Sequence, residues 1–262
     1  MVRCHPTAVV SPRARIADGV AIGPYSVIED EVEIGEDCEI GAHVVIANGS
    51  RIGRECRIFT GAVIGNPPQD LKYQGEPTLT IIGERTTVRE FVTINRGTRA
   101  TGKVVVGNEC LIMAYSHIAH DCVIEDHVIL SNVTQLAGHV HIGEWAVLGG
   151  VVKVHQFCSI GKHAMVGADA KIVKDVPPYA LVGREPPRLE GINLVGLRRR
   201  GFPEERIRAL QEFYRIVFFS GLNLSDGIER YLAEHPVVTP EVQECIDFIR
   251  RSRRGVYCHR ED

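Results

Sequence analysis

The chain has 262 residues, a net charge of −3 at neutral pH and 44% hydrophobic residues, enough to bury a sizeable core. So mild a charge gives no reason to invoke nucleic acid or an anionic membrane surface. No stretch approaches the roughly 18 apolar residues of a membrane span, and no charged n-region leads an apolar run at the N-terminus; a soluble, cytoplasmic protein is expected.

Taken in chain order, the first pattern is a period of six. Every sixth residue from Ile16 to Ile64 is isoleucine; the frame returns at Ile82, Val88 and Ile94, then runs from Val106 to Ile172. Six fits neither a helix nor a lone strand, so it reports a repeating supersecondary unit. A branched aliphatic every six residues, often followed by glycine, is the hexapeptide β-helix signature, with three hexads to a triangular coil. The position two before each aliphatic holds small or narrow residues: Val20, Ser26, Val32 and Cys38, and later Cys110, Ser116, Cys122 and Ala164. Five of the eight cysteines fall in this register, so they read as reduced, buried thiols rather than a disulfide framework.

Two segments interrupt the hexads. Residues 65–81 carry Pro67-Pro68, which cannot pair in a central strand, and residues 95–105 lack an aliphatic in frame at Ala100; both are expected to leave the solenoid as outward loops. After Ile172 the period fails, and VPPYA at 176–180 with Pro186-Pro187 marks a boundary. The expected organisation is an all-β solenoid over residues 1–185 and a small α-helical domain over 186–262. In the latter, Ile207, Leu210, Tyr214 and Val217 share a helical stripe, with Pro203 suited to a first turn. Thr239-Pro240 reads as an N-cap and first-turn proline.

Taking three hexads as one circuit, His117, His120, His139 and His155 fall on one edge of the prism, across three successive coils. His127, His141 and His163 fall at other phases and show that stacking alone does not imply function. His120 is the strongest chemical candidate because Asp121 follows it, and an acid beside an imidazole fixes its tautomer and raises its basicity. Gly138 stands one coil above His120, where its backbone allows close approach and its amide is a candidate oxyanion donor.

SHIAHDC at 116–122, LAGHV at 136–140, VHQF at 154–157, NPPQDLKY at 66–73 and GLRRRGF at 196–202 occur in the order and spacing of one family. In them the chain resembles, over essentially its whole length, the UDP-N-acetylglucosamine 3-O-acyltransferases that begin lipid A biosynthesis with an acyl carrier protein thioester. The resemblance implies a left-handed parallel β-helix, a homotrimer with sites between neighbours, and no metal or other cofactor, the acyl chain arriving on the phosphopantetheine of acyl carrier protein. It implies His120 as general base, Asp121 as its orienting acid and the Gly138 amide as oxyanion donor. His117, His139, His155 and Gln156 would line the substrate site, Asp70 and Lys72 would contact substrate from the first loop, and Asn193, Arg199 and Arg200 would lie near the nucleotide. Met165 and Ala168 match the region that measures acyl length, the small Ala168 favouring a long chain. Val195 departs from members with an acid at that position, which removes one nucleotide contact. The basic run Arg250–Arg254 offers an acidic carrier protein a point of attraction.

Rival readings remain at this stage. A sugar N-acyltransferase later in the same pathway needs a domain before its hexads, and here the frame already fits Val10. A hexapeptide carbonic anhydrase-like lyase would use the clustered histidines as zinc ligands, leaving Asp121 and the two nucleotide-side motifs without a role. A non-catalytic scaffold would leave the histidine edge unexplained. The acceptor is either a 3-hydroxyl or a 3-amino sugar.

Overall fold

The computed structural model describes residues 1–258. Its first two thirds are a prism of three parallel sheets with eleven, nine and eight strands. Most strands have only two residues, and each pairs with one a coil later, eighteen residues on, as in Arg3↔Ala21 and Ile129↔Val147. The aliphatics of the period-six frame point inward. Ile22, Ile40, Ile58, Val88, Ile112 and Leu130 form one interior column, none more than 4% exposed. Each fully buried side chain of this kind contributes about 1.5–3 kcal/mol. Stacking at the ~4.8 Å spacing of strands leaves no water between them.

The narrow register two residues earlier has a polar explanation as well as a steric one. Ser26 Oγ donates to the Gly41 carbonyl at 2.7 Å, Cys38 Sγ to Gly53 at 3.0 Å and Cys122 Sγ to Ala137 at 3.2 Å. Thr86 makes the equivalent bond to Gly107 at 2.7 Å. A small side chain with one donor suits this corner, so cysteine, serine and threonine interchange there. All eight cysteines are free thiols.

In most hexads the corner residue three before the aliphatic has a left-handed backbone, among them Tyr25, His43, Asp121, His139 and Phe157. The aromatic ones stack between coils: Tyr25 on His43 at 5.1 Å, His127 on Trp145 at 4.0 Å and His139 on Phe157 at 4.5 Å.

Both insertions are shorter than expected. Leu79–Ile82 and Lys103–Val106 are strands whose Thr80, Ile82, Val104 and Val106 are buried in the prism, so the chain leaves the solenoid only at residues 67–78 and 96–102. Pairing partners are thirty residues apart across the first (Arg57↔Thr87) and twenty-four across the second (Thr87↔Leu111). Both excesses over eighteen are multiples of six, which is why the aliphatic frame survives them.

The sheet also continues past residue 185: Ala180–Gly183 pairs in parallel with Met165–Val166 and antiparallel with Arg188–Ile192. Four helices follow among the described residues: α1 (Leu194–Arg199), α2 (Glu204–Phe218), α3 (Leu224–Glu234) and α4 (Pro240–Arg251). Thr239 caps α4 with Pro240 in its first turn, whereas Pro203 is the N-cap residue of α2 and precedes its first turn. Ile207, Leu210, Tyr214 and Val217 are buried as one face of α2. The helices bind the solenoid through Tyr179, whose hydroxyl donates to Glu244 at 2.7 Å, and through the Lys162–Glu244 ion pair. No helix is long and apolar enough to cross a membrane among the described residues.

Candidate active site

His120 and Asp121 occupy the turn after the strand His117–Ile118, and both are buried. His120 Nδ1 lies 2.8 Å from Asp121 Oδ2. Burial acts to raise the Asp121 pKa, but hydrogen bonds from the hydroxyls of Thr101 and Thr98 and from His120 outweigh it and hold the carboxyl at about 2. An ionised carboxylate only accepts, so His120 carries its proton on Nδ1 and presents the Nε2 lone pair to the opposite side. That is the tautomer a general base needs.

Nε2 faces a cavity of about 440 Å³, whose walls include Gln69, His117, Gly138, Lys153 and Gln156. Gly138 is there for proximity: a Cβ on it would lie 2.5 Å from His120 Cε1 and 2.6 Å from Nε2. The Gly138 carbonyl accepts from Phe157 N–H at 3.2 Å, while its own N–H meets no acceptor among the described residues. From the first insertion, Asp70 Oδ2 reaches 3.9 Å from His120 Nε2. Asp70 Oδ1 accepts from the Lys72 backbone N–H at 2.9 Å, and the Lys72 side chain is exposed.

The histidine edge divides. His139 packs edge-on to His120, with ring centroids 5.2 Å apart, and its Nε2 is 3.5 Å from Asp121 Oδ2. Its pKa is lowered chiefly by burial, against the pull of Asp121. His117 lines the cavity and shares a 2.7 Å hydrogen bond with Thr93; burial first, then His120, lowers its pKa. His155 is exposed outside that cavity, with Nδ1 2.9 Å from Arg254 Nη2. His120, Asp121 and His139 offer ligand atoms within 4.8 Å of one another. However, four hydrogen-bond donors already surround Asp121, and its 2.8 Å contact with His120 Nδ1 leaves no room for an ion between them.

Asn193, Arg199 and Arg200 line a second cavity, of about 530 Å³, together with Met165 and Val195. Within this chain it is separate from the His120 cavity. The Asn193 side chain is already committed: Oδ1 accepts from Gly196 N–H at 3.1 Å to cap α1, and Nδ2 donates to the His163 carbonyl at 2.9 Å. Arg200 lies over the Trp145 ring, 5.1 Å from its centroid, and Nη2 donates to the Trp145 carbonyl at 2.9 Å. Its Nη1 is buried without a partner, and burial lowers its pKa. Arg199 is exposed, Arg198 pairs with Glu204, and Ala168 lies exposed three residues after Met165.

Sequence reasoning missed Gln69, Asn95, Gln135 and Lys153, all of which line the first cavity, and Thr98 and Thr101, which hold Asp121. Gln69 stood inside the quoted NPPQDLKY motif and Lys153 immediately before VHQF, so those two were within reach. His127 and His163 belong to another corner, stacked through Trp145.

Comparison with known proteins identifies the family. A family model described as UDP N-acetylglucosamine O-acyltransferase, domain 2, matches residues 175–257, and the bacterial transferase hexapeptide model matches 13–48, 31–66 and 103–134. The acyl-[acyl-carrier-protein]–UDP-N-acetylglucosamine O-acyltransferase of Thiobacillus denitrificans is 49% identical over 257 residues, covering 98% of this chain and 99% of that protein. The crystal structure of a UDP-N-acetylglucosamine acyltransferase from Bacteroides fragilis superposes with a TM-score of 0.94 at 45% identity, over 96% of this chain and 98% of that one. A structure from Acinetobacter baumannii gives 0.92 at 40% identity, over 97% and 99%. The fold is accordingly a left-handed parallel β-helix with a C-terminal helical region. At 49% identity over nearly its full length, the chain belongs to the acyl-[acyl-carrier-protein]–UDP-N-acetylglucosamine O-acyltransferase family.

Proposed function

We propose that the protein transfers a 3-hydroxyacyl chain from the phosphopantetheine thioester of acyl carrier protein to the 3-hydroxyl of UDP-N-acetylglucosamine, the first step of lipid A biosynthesis. The observation that carries this reading is the His120–Asp121 pair, with Nε2 turned into a cavity against the Gly138 backbone. His120 Nε2 takes the proton of the sugar hydroxyl while the oxygen attacks the thioester carbonyl. The tetrahedral oxyanion accepts from the Gly138 N–H. Collapse expels the phosphopantetheine thiolate, which recovers the proton from Nε2. The only prosthetic group in this scheme is the carrier protein's own.

A homotrimer in the cytoplasm is part of the same proposal. Tyr25, Phe91, Tyr115, Val133 and Val151 form an apolar stripe along one corner, each at least 40% exposed, and such a stripe suits contact with another subunit. The His120 cavity of one chain would then face the Arg200 cavity of a neighbouring copy across the subunit boundary. Asp70, Lys72, His117, His139, His155 and Gln156 would bind substrate on one side, and Asn193, Arg199 and Arg200 on the other. Asn193 would act by holding α1 in place, since its side chain is occupied and its backbone N–H already donates to the Tyr179 carbonyl at 2.7 Å.

The test is acyl transfer from a panel of 3-hydroxyacyl carrier-protein thioesters to UDP-N-acetylglucosamine. His120→Ala should lose ~10²–10⁴ in kcat, the contribution of a positioned base. Transfer only to the 3-amino sugar would change the product from ester to amide. Near-stoichiometric zinc in chelator-washed protein, with no transfer to either sugar, would replace the reading by the zinc lyase.

A further inference from the structure

We propose that Thr98, carried on the short insertion at residues 96–102, is a positioning residue of the transfer reaction: it grips both oxygens of Asp121 and so fixes the carboxylate that orients the base. The inference rests on the assignment of His120 as that base. The backbone N–H of Thr98 donates to Asp121 Oδ1 at 3.0 Å, and its hydroxyl donates to Oδ2 at 2.7 Å. The hydroxyl has its direction set, because its own lone pair accepts from Ala100 N–H at 3.2 Å. Thr101 Oγ1 adds a contact to Oδ1 but is divided between Asp121 and the Lys103 carbonyl. Thr98 is thus the committed partner and Thr101 the shared one.

The insertion is anchored firmly enough to act as a clamp. Gly97 donates its N–H to the Leu79 carbonyl at 3.2 Å and accepts from Thr78 Oγ1 at 2.7 Å, while Leu79 N–H bonds the Gly102 carbonyl at 2.9 Å. The chain folds back so tightly that a Cβ on Gly97 would stand 2.2 Å from the Lys103 nitrogen. The equivalent corner residues one and two coils on, His139 and Phe157, have no insertion folded over them and stack on each other. Six extra residues therefore supply what the repeat lacks.

A buried carboxylate that loses a charge-directed hydrogen bond is harder to keep ionised. Thr98→Val removes the hydroxyl at nearly constant volume, so the His120–Asp121 pair should take up its proton at a higher pH. In transfer assays with saturating carrier-protein thioester, kcat should fall roughly 10- to 100-fold, the equivalent of one hydrogen bond to a charged group. The KM for UDP-N-acetylglucosamine should stay within about twofold, and the acid limb of kcat/KM should move up by about one pH unit. Thr98→Ser, which restores the donor, should return rate and acid limb to near wild type. Wild-type rate and acid limb in Thr98→Val overturn the proposal, as does a rate loss with an unmoved acid limb that Ser does not rescue. If Thr98→Val does not fold, Thr101→Val serves the same comparison, and an unmoved acid limb there counts against the clamp. An inactive His120→Ala beside a wild-type Thr98→Val defeats the clamp alone, whereas an active His120→Ala defeats the reading beneath it.

Discussion

Replacing Gly138 by alanine adds one methyl group and leaves the backbone N–H in place, so it separates two reasons for a glycine at that point. Gly138 is outside the left-handed region, so alanine brings no backbone strain there; all of the effect comes from space. The new Cβ would meet His120 Cε1 at 2.5 Å and Nε2 at 2.6 Å, against the ~3.5–4.0 Å of ordinary carbon contacts. The ring must therefore retreat by about 1 Å. It cannot do so freely, since Nδ1 is tied to Asp121 at 2.8 Å and His139 packs against its edge. A displacement of about 1 Å at a reacting group costs on the order of 10² in rate. Steady-state transfer by Gly138→Ala should show that loss in kcat, with thermal unfolding and nucleotide-sugar affinity close to wild type. Activity within threefold of wild type would refute the argument, because it would mean that His120 is not confined where the structure puts it.

The buried titratable groups and the core set further expectations. His163 has its pKa lowered to about 4 from 6.5, by burial first and then by Arg200 and Lys162. The unfolded chain takes up that proton first as pH falls, so stability present above pH 6.5 is lost on the way down to about 4. His163→Phe should flatten this part of the pH–stability curve measured by chemical denaturation. Asp121 behaves as a depressed acid: its contribution is intact above about pH 4 and disappears as pH falls through about 2, a slope that Asp121→Asn should lack. In the core, Ile142→Ala empties a fully buried site and should cost 2–5 kcal/mol in denaturant unfolding, as is usual for Ile-to-Ala changes (roughly). If Ala168 lines the acyl site, as the family resemblance implies, Ala168→Met should shift the preferred donor toward shorter acyl chains in the carrier-protein panel; an unchanged profile would refute that role.

How legible the molecule was in its sequence depended on whether a residue answers to the repeat. Ile22, Ile40 and Ile58 must be aliphatic because the prism interior repeats, and the period announces it. The narrow register was equally visible, although the period gave no hint that Ser26 and Cys38 donate to carbonyls in the same way. The insertions were drawn too wide because Pro67-Pro68 and Ala100 break the pattern locally, while Thr80 and Val104 had already resumed it. Phase put His117, His120, His139 and His155 on one edge; the first three lie close together, whereas the His155 side chain turns outward to Arg254. Phase counts position along the chain and says nothing about which way the side chain leaves the turn. Thr98 and Thr101 were illegible for a different reason: their partner, Asp121, is fixed by how an insertion folds back, and no register governs that.

Asp121 has φ 60, and left-handed backbone at a non-glycine residue often marks a functional site. Here that inference fails, since His127, Val133, His139, Trp145 and Val151 share the conformation at the same hexad position. The left-handed turn belongs to the fold, and its cost of roughly 1–2 kcal/mol per residue is offset by burial of the aliphatics on the adjoining strands. The site is distinguished by what the corner carries. Asp121 is the one carboxylate on its edge with an imidazole immediately before it and with an insertion folded over it. A corner residue whose side chain would elsewhere stack in solvent is thereby drawn inside and paired. On this argument, moving the carboxylate to glutamate should be worse than its chemistry suggests: Asp121→Glu keeps the charge but pushes the oxygens past both Thr98 donors. Its activity should fall with that of Asp121→Ala, and a Glu variant as active as wild type would show that charge near His120 suffices without the grip.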